Sequence, residues 1–280
     1  MKLRAAARAP APEGRRRRQP RAVIAPAIVA IGLALALVPR AARAQSFAEE
    51  ASIVEGDHPF RSPQKFAFEL RFGPYRPDID GEFKSMGGNP PFQPYQEFFG
   101  SDQHLMTQIE LDYQFWHRVG SIAAGIGLGY FSVTGNSPVA NGSGLPSGDQ
   151  SQLKIIPVSL SAVYRFDYFL ETRNFPLVPY GKLGLDWAYW QNTDGNSDIA
   201  TDGRGGTARG GTLGWHVGAG IALVLDMLDP DASHDFDVDV GVNHTALTFE
   251  LFHSDISGLG ESNRLHVGDT NWTLGLLLEF

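Results

Sequence analysis

Counting back two at a time from Phe280 passes through Leu278, Leu276, Leu274 and Trp272, with Glu279, Leu277, Gly275 and Thr273 between them. Successive side chains of a strand point to opposite sides, so this is an extended segment with one unbroken apolar face. The same period recurs up the chain. From Lys65 onward Phe66, Phe68, Leu70 and Phe72 oppose Ala67, Glu69, Arg71 and Gly73. Leu105 to Trp116 is the cleanest case: Leu105, Thr107, Ile109, Leu111, Tyr113 and Phe115 alternate with Met106, Gln108, Glu110, Asp112, Gln114 and Trp116. A turn at His117 to Gly120 leads to a third strand, in which Ile122, Ala124, Ile126, Leu128 and Tyr130 face away from Ala123, Gly125, Gly127, Gly129 and Phe131. Leu153 to Phe166 is less regular, and its Pro157 predicts a kink or a poorly paired position, because proline has no N–H for the ladder. Pro179 to Trp190, Thr212 to Leu225 and His244 to His253 complete the set.

Eight such segments predict an all-β fold: an antiparallel up-and-down transmembrane β-barrel of about eight strands over residues 65–280, apolar outside and polar inside. A soluble sandwich could hide the same apolar faces, and the weak fourth and seventh segments leave ten strands open. The connections divide unevenly. Those following the first, third, fifth and seventh strands (Pro77 to Gln103, Gly135 to Gln152, Gln191 to Gly211, Ser254 to Asp269) are long and polar, whereas the second is tight and the fourth and sixth intermediate. Trp116, Phe166, Trp187, Trp190, Trp215 and Trp272 fall near strand ends, where a ring can be buried and its polar edge wet.

The first 64 residues follow another plan. Arg15 to Arg18 precede an uncharged stretch from Ala22 to Val38, then Pro39 and the small-residue site Ala42-Arg43-Ala44. We expect residues 1–44 to be a cleaved secretory signal peptide and 45–64 a periplasmic lead-in. Beyond it no run approaches the ~20 apolar residues of a spanning helix. The leader holds ten of the 23 Lys and Arg and one of the 31 Asp and Glu, leaving 13 against 30, or −17. So acidic a chain is not expected to bind nucleic acid, which needs clustered cations. The absence of cysteine removes disulfides, thiolate metal sites and cysteine nucleophiles.

At Arg71 to Phe83 (RFGPYRPDIDGEF), Pro94 to Gly100 and Gly241 to Leu251 (GVNHTALTFEL) the chain resembles a family of uncharacterised outer-membrane β-barrels from myxobacterium-like Gram-negative bacteria. The C-terminal strand likewise resembles the closing strand of bacterial outer-membrane barrels. That likeness implies a location in the cell outer membrane, contact with its lipid and lipopolysaccharide, and recognition of Phe280 by the barrel-insertion machinery. It supplies no catalytic, cofactor or metal residue, and none is expected.

Several constellations remain to be weighed. The inward set Glu69, Arg71, Glu110, Asp112, Arg165, Lys182, Asp186 and Glu279 mixes signs, so the charges are expected to pair and close the interior, with a gated solute path as the alternative. His216 and Glu250 could join them. Asp194, Asn196, Asp198 and Asp202 space oxygens like half a calcium loop, but Gly205 stands where the bidentate Glu belongs. His253-Ser254-Asp255 is the best hydrolase candidate, although neighbours on a strand point apart. Phe92, Tyr95, Phe98 and Phe99 suggest a short amphipathic turn on the rim or folded into the mouth. The expected role is structural or surface-interacting, without enzymatic activity. A conduit for small hydrophobic or ionic solutes is the alternative, and a lipid-modifying hydrolase the third.

Overall fold

A computed structural model describes residues 65–83, 92–138, 146–173, 175–194, 196, 198–201, 206–227, 240–261 and 264–280. The expected leader and lead-in, residues 1–64, lie outside the described residues. Eight antiparallel strands close into a barrel in sequence order: β1 (Phe66–Tyr75), β2 (His104–Arg118), β3 (Gly120–Pro138), β4 (Pro146–Arg165), β5 (Leu177–Thr193), β6 (Arg209–Val224), β7 (His244–Asp255) and β8 (Asp269–Glu279). The seam is β1 on β8, with Phe68 opposite Leu278 and Phe72 opposite Leu274. Phe280 completes it, accepting from Phe66 N at 2.8 Å and donating to Phe66 O at 2.8 Å.

Among the described residues three short helices lie in the connections. α1 (Ile79–Phe83) and α2 (Pro94–Phe99) belong to the β1–β2 connection, and α3 (Tyr168–Arg173) to the β4–β5 connection. The alternation lands as predicted: Leu105, Leu111, Ile126, Leu183, Leu185 and Leu251 are exposed on the outside, while Glu69, Glu110, Asp112, Lys182 and Glu250 are buried within. A strand read by strict alternation fails at one place. The β2–β3 register shifts between Gln114 and Trp116, a bulge that spends Phe115 as an extra residue, so Trp116 is exposed instead of facing inward. The turn beyond it is one residue, Val119, and Gly120 takes a φ of 96° there.

Pro157 causes a lapse, not an interruption of β4. Its pairing with β5 is continuous through Pro157 and Ala188. Toward β3 the ladder skips from Leu128 and Val158 to Phe131 and Ile155, leaving Gly129 and Tyr130 without partners opposite the proline. The missing N–H falls on that side.

The wall is uneven in height. β3 and β4 run to 19 and 20 residues and β5 to 17, against 10 for β1 and 11 for β8. Much of the expected loop from Gly135 to Gln152 is therefore hairpin, extended where polar residues gave no alternation to read. Both edges of this tall sheet are covered. α2 packs on the β3 edge, so closely that a Cβ on Gly135 would stand 1.8 Å from Phe98 O. The β7–β8 connection covers β6, with Gly258 N donating to Leu213 O and Thr212 Oγ1 to Leu265 O.

The interior is stratified. At the end bearing Phe66 and Phe280, Ala67, Val178, Tyr180, Val224, Ala246 and Leu277 form an apolar layer. At the opposite end Tyr75, Tyr95, Phe131, Leu153, Ile155 and Val267 form a larger one. Charged residues lie between.

Candidate functional site

The middle layer is built by inward positions of β1, β2, β5 and β7. Arg71 reaches Glu110 at 2.7 Å and Glu250 at 2.8 Å, and lies 3.9 Å from Glu69. Lys182 reaches Glu69 at 2.9 Å, Glu110 at 3.0 Å and Glu250 at 3.3 Å. Thr248 Oγ1 donates to Glu69 at 2.8 Å. Three carboxylates thus hold two cations across the bore, and the glycines opposite them supply the room. A Cβ on Gly125 would stand 2.3 Å from an Asp112 carboxylate oxygen and 2.8 Å from one of Glu110. Arg165 pairs separately with Asp112, and Gln114 donates to Glu279 at 3.0 Å. Every residue of the expected inward set therefore points inward, and His216 and Glu250 do join it. Removing both charges from water is offset only because each ion finds partners at hydrogen-bonding distance.

One arrangement was not legible in the sequence. His216 Nδ1 lies 3.0 Å from both Asp186 carboxylate oxygens, and its Nε2 lies 3.3 Å from Ser161 Oγ. These are the contacts of a Ser-His-Asp relay, in which the carboxylate orients the imidazole and the imidazole faces the hydroxyl. The register explains it: Gly184 pairs with Ser161 on one side and His216 on the other, and, having no side chain, lets the ring span β5. All three residues are buried, and the void beside Asp186 and His216 measures about 20 Å³, room for roughly one water. Burial of Ser161 leaves that hydroxyl little room for an acyl group.

The expected trio His253-Ser254-Asp255 does not assemble. His253 points outward and bonds Thr270 Oγ1 at 2.7 Å, while Ser254 points inward and accepts from Asp269 N at 3.2 Å. The aromatic turn folds into the mouth as one of the two expected ways. Tyr95 is fully buried and its ring lies 5.4 Å from that of Phe99, whereas Phe92 stays exposed against Phe83. Burial pushes the Tyr95 phenol up to about 12, against the opposing pull of nearby Arg76. In the calcium-like loop, Asp194 Oδ1 instead accepts from Asn196 N at 2.9 Å and Asp198 N at 3.1 Å. Gly195, Ser197 and Asp202 lie outside the described residues, and among the described residues no three metal-ligating side chains cluster.

A cavity of about 770 Å³ opens at the low side of the rim between the β1–β2 and β7–β8 connections. Its floor is fixed. Tyr75 OH donates to Val267 O, Arg76 N to Asp269 Oδ2 at 3.0 Å, and Asp78 N to Gly268 O at 3.0 Å. One wall is held by Asp80, which takes Arg76 Nη2 at 3.1 Å and Tyr95 N at 2.7 Å.

This molecule is a closed eight-stranded antiparallel β-barrel with an apolar exterior and a salt-bridged interior. No protein-family model and no curated protein matches the chain. Among solved structures it is similar to the N-terminal β-barrel domain of Pseudomonas aeruginosa OprF, at 15% identity over 78% of this chain and 98% of that one, TM-score 0.37. It is similar also to the outer membrane protein OprG from Pseudomonas aeruginosa (14%, 79% and 97%, TM-score 0.39) and to Neisserial surface protein A (10%, 78% and 98%, TM-score 0.38). The eight-strand closure rests on this chain's own pairing register.

Proposed function

We propose that the chain is an outer-membrane barrel with a closed bore, acting as a structural or surface-interaction protein and not as an enzyme. On this reading it is one of the myxobacterial-type barrels that its sequence resembles, and lipid and lipopolysaccharide cover its outer face. The observation that carries the location is the exterior: Leu105 is 67% and Leu183 65% exposed on a closed sheet that buries Glu69, Arg71, Glu110, Asp112, Lys182 and Glu250 inside. Water does not tolerate so continuous a belt on a monomer, and lipid does.

The closed bore is supported by the stack of apolar, ionic and apolar layers, in which the void beside Arg71 is about 20 Å³. That favours a surface role over a conduit, and the cramped Ser161 hydroxyl favours it over a hydrolase. Two measurements test the reading. Refolded protein should migrate differently unboiled and boiled in detergent electrophoresis, and identical migration would end the barrel assignment. In planar bilayers its conductance should stay at baseline, and ion-carrying openings from the unaltered protein would replace the surface role with the conduit.

A further inference from the structure

The cleft at the low side of the rim is not used by the ionic layer, and its lining selects a class of ligand. We propose that it binds a neutral polyhydroxylated molecule, a saccharide, through Gln93, Gln96, Gln103 and His266. This rests on the outer-membrane reading above, which sets the cleft at the lipid headgroup level.

The cavity's about 770 Å³ lies within the ~300 to 1,000 Å³ of ordinary small-molecule sites. Apolar ligands find little there, since among the described residues Pro77 and Ile256 are the only bulky apolar side chains lining it. Among the described residues anions meet four carboxylates, Asp78, Asp80, Asp255 and Asp269, against one permanent cation, Arg76. Cations fare little better, because two of those carboxylates are committed to protein donors. Asp80 holds Arg76 and Tyr95 N, and Asp269 holds Arg76 N, Thr270 N at 2.8 Å and Asn271 Nδ2 at 3.2 Å.

The polar side chains set among those carboxylates are neutral and two-sided. Gln93, Gln96, Gln103 and His266 line the cleft, and their side chains make no hydrogen bond to other described residues. Each amide offers a donor and an acceptor, as does a neutral imidazole, and a sugar hydroxyl needs both. The frame behind them is fixed, since buried Asp80 ties Arg76 to the α2 backbone and Tyr75, Arg76 and Asp78 tie β1 to the last connection. A preformed cleft of this kind loses little conformational entropy on binding.

The sugar could belong to a lipid headgroup or to a free glycan, and the experiment separates them. Refolded protein, first shown to be heat-modifiable, is applied to an array of neutral, sulfated and phosphorylated oligosaccharides. It is also applied to nanodiscs of lipopolysaccharide with its core sugars intact or removed. We expect binding to a neutral oligosaccharide, or to nanodiscs only with the core sugars present; the first result assigns a free glycan and the second a lipid-borne one. Gln96→Ala with Gln103→Ala should weaken it at least tenfold, while Gln152→Ala on the tall wall should leave it unchanged. Gln96 and Gln103 are exposed, so the pair should not disturb folding. Heat-modifiable protein that binds no neutral sugar, prefers the sulfated or phosphorylated ones, or ignores the double substitution overturns the proposal. Protein that migrates identically boiled and unboiled overturns the barrel reading itself and the cleft with it.

Discussion

Arg71 and Lys182 converge on a single atom: Arg71 Nη2 lies 2.7 Å and Lys182 Nζ 3.0 Å from Glu110 Oε2. Two cations can share one oxygen here because Glu69 and Glu250 flank them, so the cluster carries three acids against two bases. The imbalance makes the partners unequal. Lys182→Met would leave three buried carboxylates on Arg71 alone and should cost about 3 to 5 kcal/mol, the scale for an ion stripped of its buried partner. Glu110→Gln leaves two acids on two bases and should cost less. Adding it to Lys182→Met should restore part of the loss, a non-additivity that neighbours in one network display. Urea unfolding in detergent micelles, followed by the boiled-to-unboiled gel shift, reads all three. Equal and additive losses would contradict the shared-oxygen picture.

The relay at Ser161 gives an opposite kind of prediction. Its contacts imitate a nucleophile and its base, but activation is of no use to a hydroxyl that substrate cannot reach. A fluorophosphonate probe should leave Ser161 unmodified in the folded barrel, and Ser161→Ala should not alter labelling. Modification of Ser161 in heat-modifiable protein would reopen the hydrolase assignment.

The sequence disclosed what an apolar exterior and a narrow bore both enforce, the alternation, and little of what depends on strand register. Glu69, Arg71, Glu110 and Lys182 were recognisable as inward because their neighbours were all apolar. Ser161 and His216 are 55 residues apart, and their meeting across Gly184 depends on pairing that no local pattern encodes. Trp116 was misplaced because a bulge looks, from sequence, like an ordinary alternating pair. The tall hairpin was hidden for a different reason: beyond the apolar belt Ser132, Thr134 and Asn136 turn outward while Phe131 and Val133 turn inward, so the polarity of the two faces is inverted there. Pro157 was legible in kind, since a poorly paired position was expected, and the lapse beside Gly129 is where the missing donor falls.

Gly135 is the position where the first rim loop meets the tall wall. A Cβ there would stand 1.8 Å from Phe98 O and 3.0 Å from the Phe99 ring, neither of which can give way without moving α2. Gly135→Val should therefore detach α2 while the barrel itself survives. Limited proteolysis should cut the Pro94 to Gly100 segment several-fold faster than in the unaltered protein, with heat modifiability retained. Unchanged cleavage would mean that α2 is held elsewhere.

Phe280 separates assembly from stability. Its backbone closes the seam on Phe66 and its ring stacks 6.2 Å from that of Phe66, yet the side chain is only partly buried. On the proposed outer-membrane reading, in which the barrel-insertion machinery recognises Phe280, deleting it should reduce accumulation of folded barrel in cells. Refolding from urea into detergent needs no such recognition and should be nearly unaffected. Equal defects in both settings would make Phe280 a structural residue only.

Tyr95 supplies a pH dependence with a definite sign. Its hydroxyl is buried without a hydrogen-bond partner among the described residues, and desolvation lifts its pKa from 10.0 to about 12. Between those values the unfolded chain has released the proton while the folded one keeps it. The unfolded state then binds fewer protons, so stability falls as pH rises through that window, and the contribution is complete only below pH 10. Tyr95→Phe removes the ionisation and also the unpartnered hydroxyl. Replacing such an atom by an apolar one of similar shape is near neutral or stabilising. Urea midpoints should therefore match or exceed those of the unaltered protein at pH 8 and pull further ahead toward pH 11. A constant gap across that range would show that the phenol ionises as freely in the folded mouth as in the unfolded chain.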